Sequence, residues 1–111
     1  PIVREADGLA KSSRNTYLSE EERKAALVLS RAVRLGKDMA ENGEKSADVI
    51  VKAMTELIDR EPLARIDYVK AVNAVNIEPV SVMEPPVMVA MAVFIGKTRL
   101  IDNFVYEGED R

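Results

Sequence analysis

Val87-Met88-Val89-Ala90-Met91-Ala92-Val93-Phe94-Ile95 decides the fold, because nine consecutive apolar residues leave no polar face to turn toward water. Side chains of an extended chain alternate between two faces, so a segment apolar on both needs cover on both. A central strand of a sheet meets that demand. Gly96 ends the run, and Lys97-Thr98-Arg99-Leu100-Ile101-Asp102-Asn103 after it returns to mixed character and receives no element. Upstream, Ile66-Asp67-Tyr68-Val69-Lys70-Ala71-Val72 combines β-branched and aromatic residues with partial alternation, which predicts a strand over about residues 65–74. Between these two segments lies Val80-Ser81-Val82, hemmed in by Pro79 and by Pro85-Pro86. Proline cannot donate to a ladder, so a brief edge strand is expected there.

The first half of the chain reads as two helices. Ser19 stands three residues before Glu22, the spacing of a capping box. Glu20, Glu21 and Glu22 place negative charge at the positive end of a helix dipole, so a helix is expected to start at Ser19 or Glu20. Ala25, Val28, Leu29, Ala32, Leu35 and Met39 recur at helical spacing, interrupted by Gly36, and Asn42-Gly43 supplies the stop. Ser46 is the cap expected for a second helix with the stripe Ile50, Ala53, Met54, Leu57 and Ile58, ending near Pro62. The short link from Asn42 to Lys45 makes the helices neighbours. The expected architecture is α+β, a long helix pair packed on a small, largely antiparallel three-stranded sheet. The last five residues are expected to fray.

Composition bounds the chemistry. The chain has 111 residues, 47% of them hydrophobic and 32% charged, which fits one domain over residues 1–111. With neither cysteine nor histidine there is no disulfide, no thiol nucleophile and no Ser-His-Asp triad. No metal-ligand set is visible. A net charge of −3, with both signs interspersed, lacks the basic surplus of a sequence-independent nucleic-acid binder. The longest apolar run is far below a membrane span, and no signal-peptide pattern opens the chain. A cytoplasmic setting is therefore expected. The chain begins at Pro1 rather than methionine and is read as a segment excised from a longer protein.

The segment ahead of the first helix carries the chemistry. Asp7-Gly8 marks a turn, and Lys11, Ser12, Ser13 and Arg14 then combine backbone amides, two hydroxyls and a guanidinium whose planar fork matches phosphate oxygens. Donors of this kind, aimed at charge that develops as pyrophosphate leaves an α-phosphate, lower the barrier to adenylation. The bland alternative is ordinary loop chemistry before a capped helix. Lys97 and Arg99 read as solvated or paired surface cations, and Asp67 with Asp102 as a carboxylate pair that nothing in the sequence brings together. Met39, Met54, Met83, Met88 and Met91 read as core filling, and Tyr17 and Tyr68 as packed rings with a bonded hydroxyl.

Val3-Arg4-Glu5 with Gly8-Leu9-Ala10-Lys11-Ser12-Ser13-Arg14-Asn15 resembles the carboxy-terminal domain of the pantothenate synthetase (pantoate–β-alanine ligase) family. The resemblance continues in order through Tyr17-Leu18-Ser19, Glu21-Glu22-Arg23, Ile66-Asp67-Tyr68-Val69, Glu78-Pro79-Val80 and Gly96-Lys97-Thr98-Arg99-Leu100-Ile101-Asp102-Asn103. It implies a lid domain that works with an amino-terminal Rossmann-like domain, which this chain does not include. The implied reaction uses ATP with Mg2+ to make pantoyl adenylate, from which the amine of β-alanine displaces AMP, in an enzyme expected to be a homodimer. Carried onto this sequence, the resemblance assigns ATP contacts to Lys11, Ser12, Ser13 and Arg14, with Arg14, Ser12 and Ser13 catalytic, and places Val3 where backbone meets adenine. Many family members have methionine or leucine at the position of Lys11, so its contact is expected mainly through the backbone. Lys70 stands where an acidic residue is frequent. The family's His-x-Gly-His motif is absent with histidine itself, so the chain alone is not expected to catalyse either step. The rival reading is a non-enzymatic module that offers an apolar face to a partner protein.

Overall fold

Local capping chemistry sets both helices. The structure is a computed structural model and describes Leu9 and residues 18–108. Helix α1 spans Glu20–Glu41, with Ser19 as N-cap: the Ser19 Oγ accepts from the Glu22 N–H at 3.1 Å, and Glu22 Oε1 accepts from the Ser19 N–H at 3.0 Å. Both halves of the expected capping box are thus made. The helix ends at Asn42, whose N–H donates to the Asp38 carbonyl, and Gly43 follows at φ 101° with its N–H donating to the Ala40 carbonyl. Helix α2 spans Ala47–Asp59 behind the Ser46 cap. Small residues dominate the buried stripe of α1, with Ala25, Ala26, Ala32, Gly36 and Ala40 beside Val28, Leu29 and Val33. That stripe lets α1 approach its neighbours closely.

Three strands follow: β1 (Ala64–Asn73), β2 (Val87–Ile95) and β3 (Thr98–Tyr106). They form an antiparallel sheet of order β1-β2-β3, with the fully apolar segment in the middle. A register shift between Ile66 and Tyr68 leaves Asp67 bulged out of the β1 ladder. Both helices pack on one face, α2 against β1 and α1 against β3 and β2. Toward them point Val87, Val89, Met91, Val93 and Ile95 of β2, all fully buried, together with Leu100, Asp102, Phe104 and Tyr106 of β3. Met54, Met83 and Met91 lie in this core, as their type suggests.

The sheet corrects the sequence reading in two places. Val80-Ser81-Val82 is not a strand. Pro79 makes one isolated bridge to Val72, and Val82 one to Ser46. The Val80 N–H donates to the Ala71 carbonyl, while the Ser81 carbonyl accepts from Ala47 and the Met83 N–H donates to Lys45. The segment therefore crosses from the end of β1 to the start of α2, spending its hydrogen bonds on two partners rather than along one. The third strand is instead β3, in the region given no element. Its helix-facing alternation Leu100, Asp102, Phe104, Tyr106 is masked in sequence by a carboxylate at a core position.

Candidate functional site

The residues singled out for phosphate and adenine, Lys11, Ser12, Ser13, Arg14 and Val3, lie outside the described residues, as do Tyr17 and the Asp7-Gly8 turn. What brackets them is described. Leu9 is 2% exposed and belongs to the main hydrophobic core, and Leu18 packs against that core. Both ends of the donor-rich segment are therefore anchored in the same apolar cluster, an anchoring that the sequence reading did not assign to Leu9.

Immediately after the segment, the start of α1 meets the β2–β3 turn. Gly96 and Lys97 form a two-residue turn between the paired Ile95 and Thr98, with Gly96 at φ 61°. The Gly96 N–H donates to the Leu63 carbonyl at 3.3 Å. The Glu22 carboxylate occupies the space a Cβ on Gly96 would take, so the residue that closes the capping box also packs on the turn. With Glu20, Glu21 and Glu22 in its first turn, α1 has its dipole already answered by carboxylates. The helix terminus therefore offers little free positive potential to an anion at this end of the domain.

The remaining charged candidates separate onto two faces. On the face away from the helices, Arg99 donates from Nε (3.1 Å) and Nη2 (3.0 Å) to Asp67 Oδ2, and its guanidinium lies 5.9 Å from the Tyr68 ring centre. Lys70 Nζ stands 4.7 Å from the same ring, and Arg65 lies 4.5 Å over Phe94. Arg99 is thus paired at the surface, as read from sequence, with the Tyr68 ring beside it, and Lys97 is exposed at the turn. Asp102 is 2% exposed on the helix-facing side, and its Oδ1 accepts from the Asn103 N–H at 2.8 Å. Asp67 and Asp102 therefore make no carboxylate pair. Among the described residues, no group of three or more acids is placed to hold a metal ion, and no helix is long and apolar enough to cross a membrane.

The profile of the family described as Pantoate-beta-alanine ligase matches residues 1–105, which include Val3 and Lys11 to Arg14. The chain belongs to that family. Among pantoate–β-alanine ligases, a pantothenate synthetase from Ruminiclostridium cellulolyticum is 58% identical over 106 residues, covering 96% of this chain and 38% of the relative. The crystal structure of pantothenate synthetase from Thermus thermophilus superposes with a TM-score of 0.86 at 39% identity, over 94% of this chain and 37% of that one. A pantoate-beta-alanine ligase from Francisella tularensis, solved in complex with beta-gamma ATP and beta-alanine, shares the fold with a TM-score of 0.56 at 23% identity, over 95% and 31% of the two chains. The chain therefore spans 38% of the length of that curated relative and is a region of a pantothenate synthetase.

Proposed function

We propose that this chain is the carboxy-terminal, ATP-binding lid of a pantothenate synthetase, and that it works in the cytoplasm with an amino-terminal Rossmann-like domain of the same enzyme, itself a homodimer. The observation that carries the reading is the family match over residues 1–105, which includes the Lys11, Ser12, Ser13 and Arg14 donors ahead of α1. Support for the ligand comes from the Francisella tularensis relative, whose structure was solved with beta-gamma ATP and beta-alanine. A free-standing interaction module has no comparable observation behind it.

In the reaction so assigned, a carboxylate oxygen of pantoate attacks the α-phosphorus of ATP and the bond to pyrophosphate breaks. The amine of β-alanine then attacks the adenylate carbonyl, loses a proton and expels AMP, leaving pantothenate. The part taken by this chain is electrostatic. Arg14 presents paired N–H donors to phosphate oxygens, and the hydroxyls of Ser12 and Ser13 donate beside it, so charge that grows as pyrophosphate departs meets donors already in place. Lys11 contributes through its backbone, and the backbone at Val3 meets adenine.

The test joins this chain to the remaining part of a pantothenate synthetase and follows pantoate-dependent ATP–pyrophosphate exchange. Arg14→Ala is expected to slow adenylate formation by about a hundredfold, the loss typical of one transition-state donor, with a smaller change in ATP affinity. Loss of ATP binding with an unchanged chemical step would remove Arg14 from catalysis. A folded chimera without exchange would overturn the lid reading.

A further inference from the structure

The apolar run of β2 asks for cover on both faces, and the two helices supply it on one. The other face of β2 carries Met88, Ala90, Ala92 and Phe94, flanked on β3 by Ile101 and Val105, which are 61% and 44% exposed. An antiparallel sheet that turns one face to water ordinarily alternates to polar residues there, and this face is apolar down its whole central strand. Charge gives it a sign as well. Over the half nearest the β2–β3 turn it carries Arg65, Lys70 and Arg99 against the single carboxylate Asp67, in a chain of net charge −3. The helix layer has no such excess, with five acids and five bases on α1 and three acids to one base on α2. Among the described residues, Arg65 and Lys70 are exposed and make no ion pair; they lie instead over the Phe94 and Tyr68 rings, at 4.5 and 4.7 Å. Stacking holds the Arg65 guanidinium in place and leaves its N–H donors for a carboxylate.

We infer that this helix-free sheet face is the surface by which the chain seats against the remainder of the synthetase, on a partner surface with an apolar centre and carboxylates placed to receive Arg65 and Lys70. Most of the enzyme lies outside this chain, which covers 38% of the Ruminiclostridium cellulolyticum relative. Three strands of nine or ten residues present about 400 Å² on one face, from a rise of about 3.4 Å per residue and a spacing of about 4.8 Å. Doubled by the partner's share, that falls within the roughly 600–1,500 Å² of interfaces between domains of one chain, which are more polar than permanent ones. A second copy of this chain fits poorly, since it would set the same cations against each other. The inference rests on reading the chain as one part of a pantothenate synthetase, and not on its binding ATP.

The experiment is thiol footprinting of the joined enzyme, this chain fused to the remaining part of a pantothenate synthetase. The chain has no cysteine, so Ile101→Cys on the sheet face and Lys37→Cys on α1 each place one probe at a position exposed in the chain itself. Alkylation by N-ethylmaleimide is read peptide by peptide in a mass spectrometer, with and without ATP and pantoate. In at least one condition the Ile101→Cys probe is expected to react about tenfold more slowly than the Lys37→Cys probe, and adding Arg65→Glu and Lys70→Glu is expected to remove most of that difference. Equal rates in both conditions, or protection of the α1 probe alone, would overturn the proposal. Protection that survives the double charge reversal would also overturn it. So would protection lost on dilution, which makes a second copy the occupant, or on nuclease treatment, which makes it a nucleic acid. Should Ile101→Cys fail to fold, carbodiimide coupling of the unsubstituted enzyme decides. Lys70 is expected to link to carboxylates outside this chain while the exposed Lys52 of α2 does not, and absence of the Lys70 links refutes the assignment. A covered sheet face in an enzyme without ATP–pyrophosphate exchange would leave this docking standing and sink the ATP-lid reading. Exchange that depends on Arg14, with the face open throughout, would do the opposite.

Discussion

Gly36→Ala sets two opposing terms against each other at the point where both helices and the sheet meet. Alanine in place of glycine inside an exposed helix is worth about 0.5–1 kcal/mol in favour of folding. At Gly36, however, an added Cβ would stand 2.5 Å from Met54 Sδ, 3.2 Å from Met54 Cγ and 2.9 Å from Phe104 Cε2. Comfortable carbon contacts lie at about 3.5–4.0 Å, so two side chains must each give by roughly 1 Å. Methionine is flexible enough to repack, but Met54 is 0% exposed and Phe104 6%, so neither has solvent to retreat into. Overpacking of this kind costs about 1–3 kcal/mol, and with two neighbours displaced the upper half of that range applies. The balance is a loss of about 1–2 kcal/mol, which for a domain of this size lowers Tm by about 5–15 °C. Thermal melts followed by circular dichroism read this directly. In a Met54→Ala background the sulfur is gone, and the same substitution is expected to be neutral or stabilising, a coupling of about 1 kcal/mol or more. A rise in Tm for Gly36→Ala in the parent chain, or an equal loss in both backgrounds, would refute the reasoning.

Two further perturbations test the ends of the sheet. Gly96→Ala places a Cβ at φ 61° and into the Glu22 carboxylate, so it combines a left-handed backbone penalty with damage to the α1 cap; a loss of about 2 kcal/mol is expected in urea unfolding. A loss below about 0.5 kcal/mol would show that the turn and the cap are independent. Asp67→Ala removes the bond to Arg99 between side chains 43% and 38% exposed, so its cost is expected to stay under about 1 kcal/mol and to fade in 1 M salt. A larger, salt-insensitive loss would mean that the bulge, not the ion pair, needs Asp67.

The parts of this fold that were legible in sequence are those written in local chemistry. Ser19 with Glu22, Asn42-Gly43 and Ser46 fix helix ends through bonds to residues within a few positions, and the helices begin and end where those residues predict. The β2 segment was legible because apolarity on both faces has few outlets, and Ala92, on the face away from the helices, is indeed fully buried. Flanking prolines made Val80–Val82 compatible with an edge strand without requiring one, and the bonds of that segment went instead to Ala71 and the start of α2. β3 was hidden because a carboxylate in the core phase looks like a break in alternation. Gly36 read as a tolerated interruption, since the contacts with Met54 and Phe104 that require it are remote in sequence. Of the candidate site, the sequence supplied the donor residues, whereas the anchoring of their segment by Leu9 needed the three-dimensional core.

That anchoring bears on how the proposed lid would act. The positive end of α1 is already opposed by Glu20, Glu21 and Glu22, so the helix supplies little free potential for a nucleotide, and in the proposed reading affinity comes from the side chains ahead of it. Ordering such a segment on ligand binding costs about 1–2 kcal/mol per residue in backbone entropy alone. With Leu9 and Leu18 held in the core, part of that cost is met when the domain folds rather than when ATP arrives. A grip whose flanking leucines are already placed would tighten on the charge that develops as pyrophosphate leaves. In the proposed reading this is the property an adenylating lid requires, because only contacts stronger in the transition state than in the bound substrate accelerate the step.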